Sequence, residues 1–267
     1  MRALLCQLAP APGDTEANVE VIARSVRSRP EADIAVFPEL FVSGYRPRSL
    51  EEAALAPGDP VLEPLLAAAE ERGTAIVFGF AERCEAGVAN SVGFVGSDGE
   101  WRGSYRKTHL FGEWERTSFI AGDALRVTEL CGRRIGVLIC FDLEFPEPAR
   151  ALAQAGASLL VTCSANMEPY GADHALAMRA RALDNRLPHI YVNRAGQEAG
   201  LRFTGGSAVI DPDGSLITSL GAAPEIRCVD VPRPAASPAD VDYLALLRRD
   251  LEVEDVAAPP IAQGGVR

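Results

Sequence analysis

Short, mainly apolar runs recur along the chain at 3–8, 33–37, 75–80, 135–139, 159–162 and 190–193. They are too short and too uniformly apolar for amphipathic helices, and they predict strands buried on both faces. Between them, Val19, Ile22, Ala23 and Val26 recur at helical spacing behind Asp14, a side chain suited to cap a helix N-terminus. Residues 62–72, 146–155 and 172–185 predict three further helices. Gly96-Ser97-Asp98-Gly99, between 90–95 and 101–105, and Asp211-Pro212-Asp213-Gly214 have the composition of hairpin turns. Each half therefore reads βαβαβ followed by a hairpin, which predicts two sheets packed face to face with helices outside. No Ser/Gly/Pro-rich linker separates the halves, so residues 1–240 are expected to form one domain. Residues 232–238 read as extended, 241–251 as a helix, and the Ala/Pro/Gly-rich end as an extended tail.

Strand ends are where such a sheet presents chemistry. Cys140 falls at the junction between the strand 135–139 and a helix opened by Pro146-Glu147, where free backbone N–H groups and a helix N-terminus stabilise negative charge. Taken singly, a cysteine there is more often a small core residue. Glu39, just past the strand stopped by Pro38, and Lys107, just past the strand 101–105, read singly as solvated charges. Three reactive side chains at three strand ends meet at one rim if the two sheets align.

Phe37-Pro38-Glu39-Leu40, Tyr105-Arg106-Lys107-Thr108-His109-Leu110-Phe111 and Cys140-Phe141-Asp142-Leu143-Glu144-Phe145-Pro146-Glu147 resemble, in that order, the three signature regions of the nitrilase superfamily of carbon–nitrogen hydrolases. The resemblance covers essentially the whole chain. It implies an α/β fold, a four-layer αββα sandwich of two mixed sheets, that pairs as a homodimer or higher homo-oligomer through its outer helices. It further implies a Glu39-Lys107-Cys140 triad and a second glutamate, for which Glu115, preceding Arg116, fits better than Glu113. Tyr45, Trp114, Phe141, Glu144, Asn166 and Met167 are the expected substrate-binding residues, Met167 standing where many members carry Trp. Residues 106–113, 162–170 and 243–251 look most like aliphatic amidases of the 5-aminopentanamidase type. The implied substrate is a small linear primary amide; an ω-amidase, an N-carbamoyl-amine amidohydrolase and a nitrilase use the same triad.

The chemistry has its own requirement. A thiol near pKa 8.5 and a carboxylic acid near 4.3 differ by about 4 units, so moving a proton from Cys140 to Glu39 in water costs about 6 kcal/mol. Burial of Glu39 raises the acid, while Lys107 and the turn N–H groups are expected to lower the thiol. A papain-like Cys/His pair would instead use His109 or His174, both of which read better as structural. A non-catalytic scaffold would predict a damaged triad.

Composition narrows the partners. A formal net charge of -11 with no Lys/Arg cluster argues against nucleic acid or an anionic membrane surface, and 48% hydrophobic residues supply a sizeable core. Six scattered cysteines and three unpaired histidines lack the spacing of a zinc site, so neither metal nor cofactor is expected. No apolar run reaches the ~20 residues of a membrane span, and the N-terminal run is too brief for a secretory signal. A cytoplasmic location with reduced thiols is the expectation.

Overall fold

The computed structural model describes residues 1–234, 243–248, 250 and 251. The first half runs β1 (Arg2–Gln7), α1 (Thr15–Arg27), β2 (Ile34–Val36), a single-turn α2 (Leu50–Ala53), α3 (Glu63–Arg72), β3 (Ala75–Cys84), β4 (Gly87–Val95) and β5 (Trp101–Arg106). After the short α4 (Gly112–Ser118) come β6 (Val127–Leu130), β7 (Arg133–Ile139), α5 (Pro146–Gln154), β8 (Leu159–Ser164), α6 (Gly171–Asn185) and β9 (His189–Asn193). The two-residue strands β10 (Gln197–Glu198) and β11 (Leu201–Arg202), then β12 (Ala208–Ile210), β13 (Leu216–Ser219) and β14 (Glu225–Asp230) complete it.

Two six-stranded mixed sheets result, in the orders β14-β1-β2-β3-β4-β5 and β13-β12-β9-β8-β7-β6. Strands β1, β2 and β3 are parallel in one, as are β7, β8 and β9 in the other, with antiparallel strands flanking both sets. Alternation along each strand sorts the side chains. Leu5, Val36, Val77 and Phe94 of the first sheet meet Val137, Ile139, Val161 and Val192 of the second in a shared inner core. Leu4, Ala35, Ile76 and Phe78 face outward onto Val19, Ile22 and Val26 of α1 and Leu65 and Ala69 of α3. Leu138, Leu160 and Ile210 do the same against Leu152 of α5 and Met178 of α6. This is the αββα sandwich.

Helix α1 begins where expected, with the Asp14 carboxylate accepting from the N–H of Ala17 at 3.0 Å. The C-terminal reading is corrected: among the described residues of 241–251, Tyr243–Ala245 form a turn and no helix is present. A helix there would need a buried face, and Leu246 and Leu251 are exposed. Most of the predicted extended segment 232–238 and all of 256–267 lie outside the described residues. No described helix is long and apolar enough to cross a membrane.

One glycine sets where the end of β2 can go. The chain at Pro38–Leu40 lies so close to Gly79 of β3 that a Cβ there would sit 2.3 to 2.6 Å from the N of Leu40, the O of Pro38 and the Cα of Glu39. The N–H of Gly79 donates to the Pro38 carbonyl at 3.1 Å, and the N–H of Val42 donates to the Gly79 carbonyl at 3.0 Å. Gly79→Ala is expected to cost about 1–3 kcal/mol in urea denaturation, as overpacking does, because backbone rather than a flexible side chain must yield. Wild-type stability in the variant would show that the loop yields freely.

Candidate active site

Strand directions bring four side chains together. Strands β2, β5 and β7 all end at the same edge of the sandwich, and their next residues include Glu39, Lys107 and Cys140. Lys107 Nζ donates to Glu39 Oε1 at 2.6 Å and to both Glu115 oxygens at 3.0 and 2.8 Å. Lys107 and both carboxylates are buried. Each acid has further donors: Asn90 Nδ2 at 2.7 Å and the Ala165 N–H at 2.8 Å for Glu39, the Tyr45 hydroxyl at 2.8 Å and the Phe111 N–H at 2.7 Å for Glu115. Burial alone would strip the Lys107 proton, but the Glu115 and Glu39 carboxylates outweigh it and raise the ammonium well above its ordinary pKa. Burial keeps the Glu115 carboxyl above the usual range despite Lys107. Glu115 belongs to this cluster, whereas Glu113 is exposed.

Cys140 opens a 3-10 turn (Cys140–Glu144) between β7 and α5, with φ of 45°, in the left-handed region that non-glycine residues rarely adopt. The bend presents the thiol at the rim and leaves the first N–H groups of the turn, beginning at Phe141, without intrahelical partners. The expectation that the thiol would be lowered is corrected. Burial, then the Glu39 and Glu115 carboxylates, push Cys140 well above its ordinary value, against the opposing pull of Lys107 and Ser164. Cys140 therefore rests as a thiol and needs a base when it reacts.

Asp142, whose role the sequence did not reveal, joins the lysine loop to the cysteine turn. Its carboxylate accepts from the N–H of Ile139 (3.0 Å), the hydroxyls of Tyr105 (2.7 Å) and Thr108 (2.9 Å), and the N–H of His109 (2.9 Å), with His109 Nδ1 at 2.8 Å. Burial would raise this acid, but the bonds from His109, Tyr105 and Ile139 hold it below the usual range. The bond to Asp142 in turn raises His109, whose ring stacks on Phe145 at 4.3 Å, so His109 braces its loop as expected. Stability from the raised His109 is fully present below its unfolded pKa of about 6.5 and lost as pH rises through the folded value. That from the lowered Asp142 is present above about 3.9 and lost as pH falls through its folded value. The melting-temperature gap between wild type and His109→Gln should thus be wide at pH 6 and narrow by pH 9; a gap independent of pH would count against the pairing.

Arg181, a charge on α6, reaches inward. Its Nε and Nη2 donate to the carbonyls of Leu143 and Glu144, each at 3.1 Å, and so hold the far end of the cysteine turn.

A narrow cleft opens at Cys140, lined by Phe111, Phe141, Glu144, Asn166, Met167, Tyr170 and His174. Of the expected substrate-binding residues, Phe141, Glu144, Asn166 and Met167 line this cleft. Tyr45 and Trp114 are corrected. Tyr45 is buried behind the site, bonded to Glu115, and Trp114 packs on its ring at 5.2 Å, so both brace the second glutamate rather than line the cleft. Phe111 and His174, unforeseen as lining residues, owe their places to the turn into α4 and to the first turn of α6.

Comparison with known proteins agrees with this geometry. A model of the carbon–nitrogen hydrolase family matches residues 2–239. The chain is similar to an (R)-stereoselective amidase of a Pseudomonas species, 38% identical over 265 residues, covering 97% of this chain and 96% of that protein. It is similar to a protein described as "Hydrolase in pqqF 5'region" from Pseudomonas protegens, 40% identical over 225 residues, or 83% and 79% of the two chains. Among solved structures, an amidase from Nesterenkonia sp. superposes with a TM-score of 0.82 at 31% identity, over 93% of this chain and 96% of that one. Mutants of that enzyme have been seen with butyramide, and with the acetamide moiety of fluoroacetamide added covalently at the active-site cysteine.

Proposed function

Because the chain belongs to the carbon–nitrogen hydrolase family of the nitrilase superfamily, hydrolases of non-peptide carbon–nitrogen bonds, we propose that it hydrolyses small linear primary amides through a thioester on Cys140. The observation that carries the reading is Lys107 Nζ held between two buried carboxylates at the rim that presents the Cys140 thiol. Glu39 takes the thiol proton as Sγ attacks the amide carbonyl, which closes the gap between a raised thiol and its base within one step. Lys107 and the Phe141 N–H receive the developing oxyanion. Glu39 then gives the proton to departing ammonia. It next activates the water that cleaves the thioester and frees the carboxylate product. Glu115, through Lys107, keeps the ammonium in place.

The narrow, largely aromatic cleft supports a short acyl chain, as do the small amides bound by the Nesterenkonia relative. The motif resemblance supports an ω-amino amide such as 5-aminopentanamide. Ammonia release across short primary amides, ω-amino amides, N-carbamoyl amines and nitriles tests the reaction. Carbon dioxide released together with ammonia, or turnover of nitriles alone, would replace the amidase reading. Self-association through the outer helices is also proposed, supported by exposed Leu176 and Leu183 on α6; sedimentation as a monomer would end it.

A further inference from the structure

Behind Cys140 a line of hydrogen bonds runs to the other end of the cleft, and the direction of each bond can be assigned. Ser164 Oγ accepts from the Asn166 N–H at 3.1 Å and from the Tyr191 hydroxyl at 3.3 Å. Tyr191 has then used its single proton, so its oxygen accepts from His174 Nδ1 at 2.9 Å. The His174 proton is thereby placed on Nδ1, and in the neutral ring Nε2 carries a lone pair. That atom is buried, has no hydrogen-bond partner, and lies 3.2 Å from Glu144 Oε1. At 3.2 Å no heavy atom fits between the two, so a ligand donor that satisfies both must sit beside them, on the cleft side, and bridge the lone pair and the carboxylate oxygen.

The surroundings specify which donor. Glu144 and His174 line the same cleft as Cys140, together with the rings of Phe111, Phe141 and Tyr170. Phe111 sits edge-on to Phe141 at 5.3 Å and to Tyr170 at 5.4 Å. A carboxylate, a lone pair and aromatic faces together favour a cation with hydrogens to donate. We propose that Glu144 and His174 form the distal subsite of the cleft and that it receives the ammonium of an amide whose acyl chain ends in a primary amine. The assignment rests on Cys140 being the nucleophile of an amidase, and it makes Glu144 the residue that sets specificity. The alternative occupant of the gap is a proton on Nε2, which would let His174 and Glu144 neutralise each other and leave the cleft with no preference for a cation.

The test compares 5-aminopentanamide with hexanamide, in which a methyl replaces the ammonium. Wild-type enzyme is expected to favour the amino amide at least tenfold in kcat/KM, and Glu144→Gln to reduce that ratio at least tenfold, chiefly through KM. Glu144→Lys should turn the preference toward the amide of a dicarboxylic acid. A wild-type ratio near one, or a ratio unmoved by Glu144→Gln, overturns the subsite while leaving the amidase reading intact. Calorimetric titration of Cys140→Ala protein with 5-aminopentanamide removes the dependence on turnover: affinity should fall at least tenfold on adding Glu144→Gln. If that loss is seen although the wild type releases ammonia from neither amide, the subsite stands and the amidase reading falls. Equal affinities with and without Glu144 overturn the subsite.

Discussion

Cys140→Ala is expected to lower ammonia release from the best amide by at least about 10⁴-fold, because no other group in the cleft can form the acyl intermediate. Cys6 and Cys163 are buried within the sandwich, where burial raises both thiols, and Cys84, Cys131 and Cys228 do not line the cleft. Glu39 cannot substitute as a nucleophile, since both of its oxygens are engaged, by Lys107 and Asn90 on one side and the Ala165 N–H on the other. Cys140→Ser should fare little better, as a hydroxyl is harder to deprotonate than a thiol already raised by its surroundings. Acid quenching during turnover followed by mass analysis should find the acyl group on the peptide bearing Cys140 in wild type alone. Ammonia release by Cys140→Ala above one part in a hundred of wild type would sink the thioester mechanism.

Lys107→Met carries the second large effect, and it separates chemistry from stability. The substitution keeps most of the unbranched apolar stem but leaves Glu39 and Glu115 buried with no cation between them. Removing one member of a buried ionic group costs about 3–5 kcal/mol, and losing an oxyanion donor costs about 10²–10³-fold in kcat. The pH dependence distinguishes this from a packing defect. In wild type the stability from the raised Lys107 is fully present below about pH 10.4 and is lost only as pH climbs through its folded value. In the variant the Glu115 carboxyl, raised by burial even beside Lys107, contributes stability that is present below about pH 4.3 and lost as pH rises through its folded value. The gap between the two proteins in urea denaturation should therefore be wider at pH 8 than at pH 5. Adding Glu115→Gln to Lys107→Met should restore part of the stability and none of the turnover. A gap that does not change with pH would mean that the lost methylene packing, not the charge, is responsible.

The sequence revealed the central strands, and through them the triad, because strands buried on both faces are uninterrupted apolar runs whose ends are easy to place. Edge strands were harder to read. β6 and β14 are half-exposed, and neither contains a continuous apolar run. Helix α4 was invisible for a more specific reason: its only buried residue is Glu115, so its one inward position carries a charge where the helical period looks for an apolar side chain. The same applies to Arg181, an inward-facing charge on α6 that pattern alone assigns to the outside. Tyr45 and Trp114 were recognised as part of the site but placed on its wrong side, since an aromatic residue has no signature for which neighbour it covers. Asp142 and Tyr191 act through partners on other strands, and no spacing along the chain reports such pairs.

The four central side chains come from separate layers: Glu39, Lys107 and the helix bearing Glu115 extend the first sheet, and Cys140 extends the second. The reaction centre is in effect a vernier scale read across the interface. A lateral slip of one layer by the ~3.3 Å of a single residue would keep every strand ladder intact and still carry the sulfur away from its base. Two contacts act as dowels against that slip, the Ala165 N–H on Glu39 and the Tyr105 hydroxyl on Asp142, each joining one layer to the other. Inherited changes to the shared inner core are then sorted less by how tightly they pack than by whether they keep the layers aligned, so thermodynamically silent substitutions between the sheets can still be lost to selection.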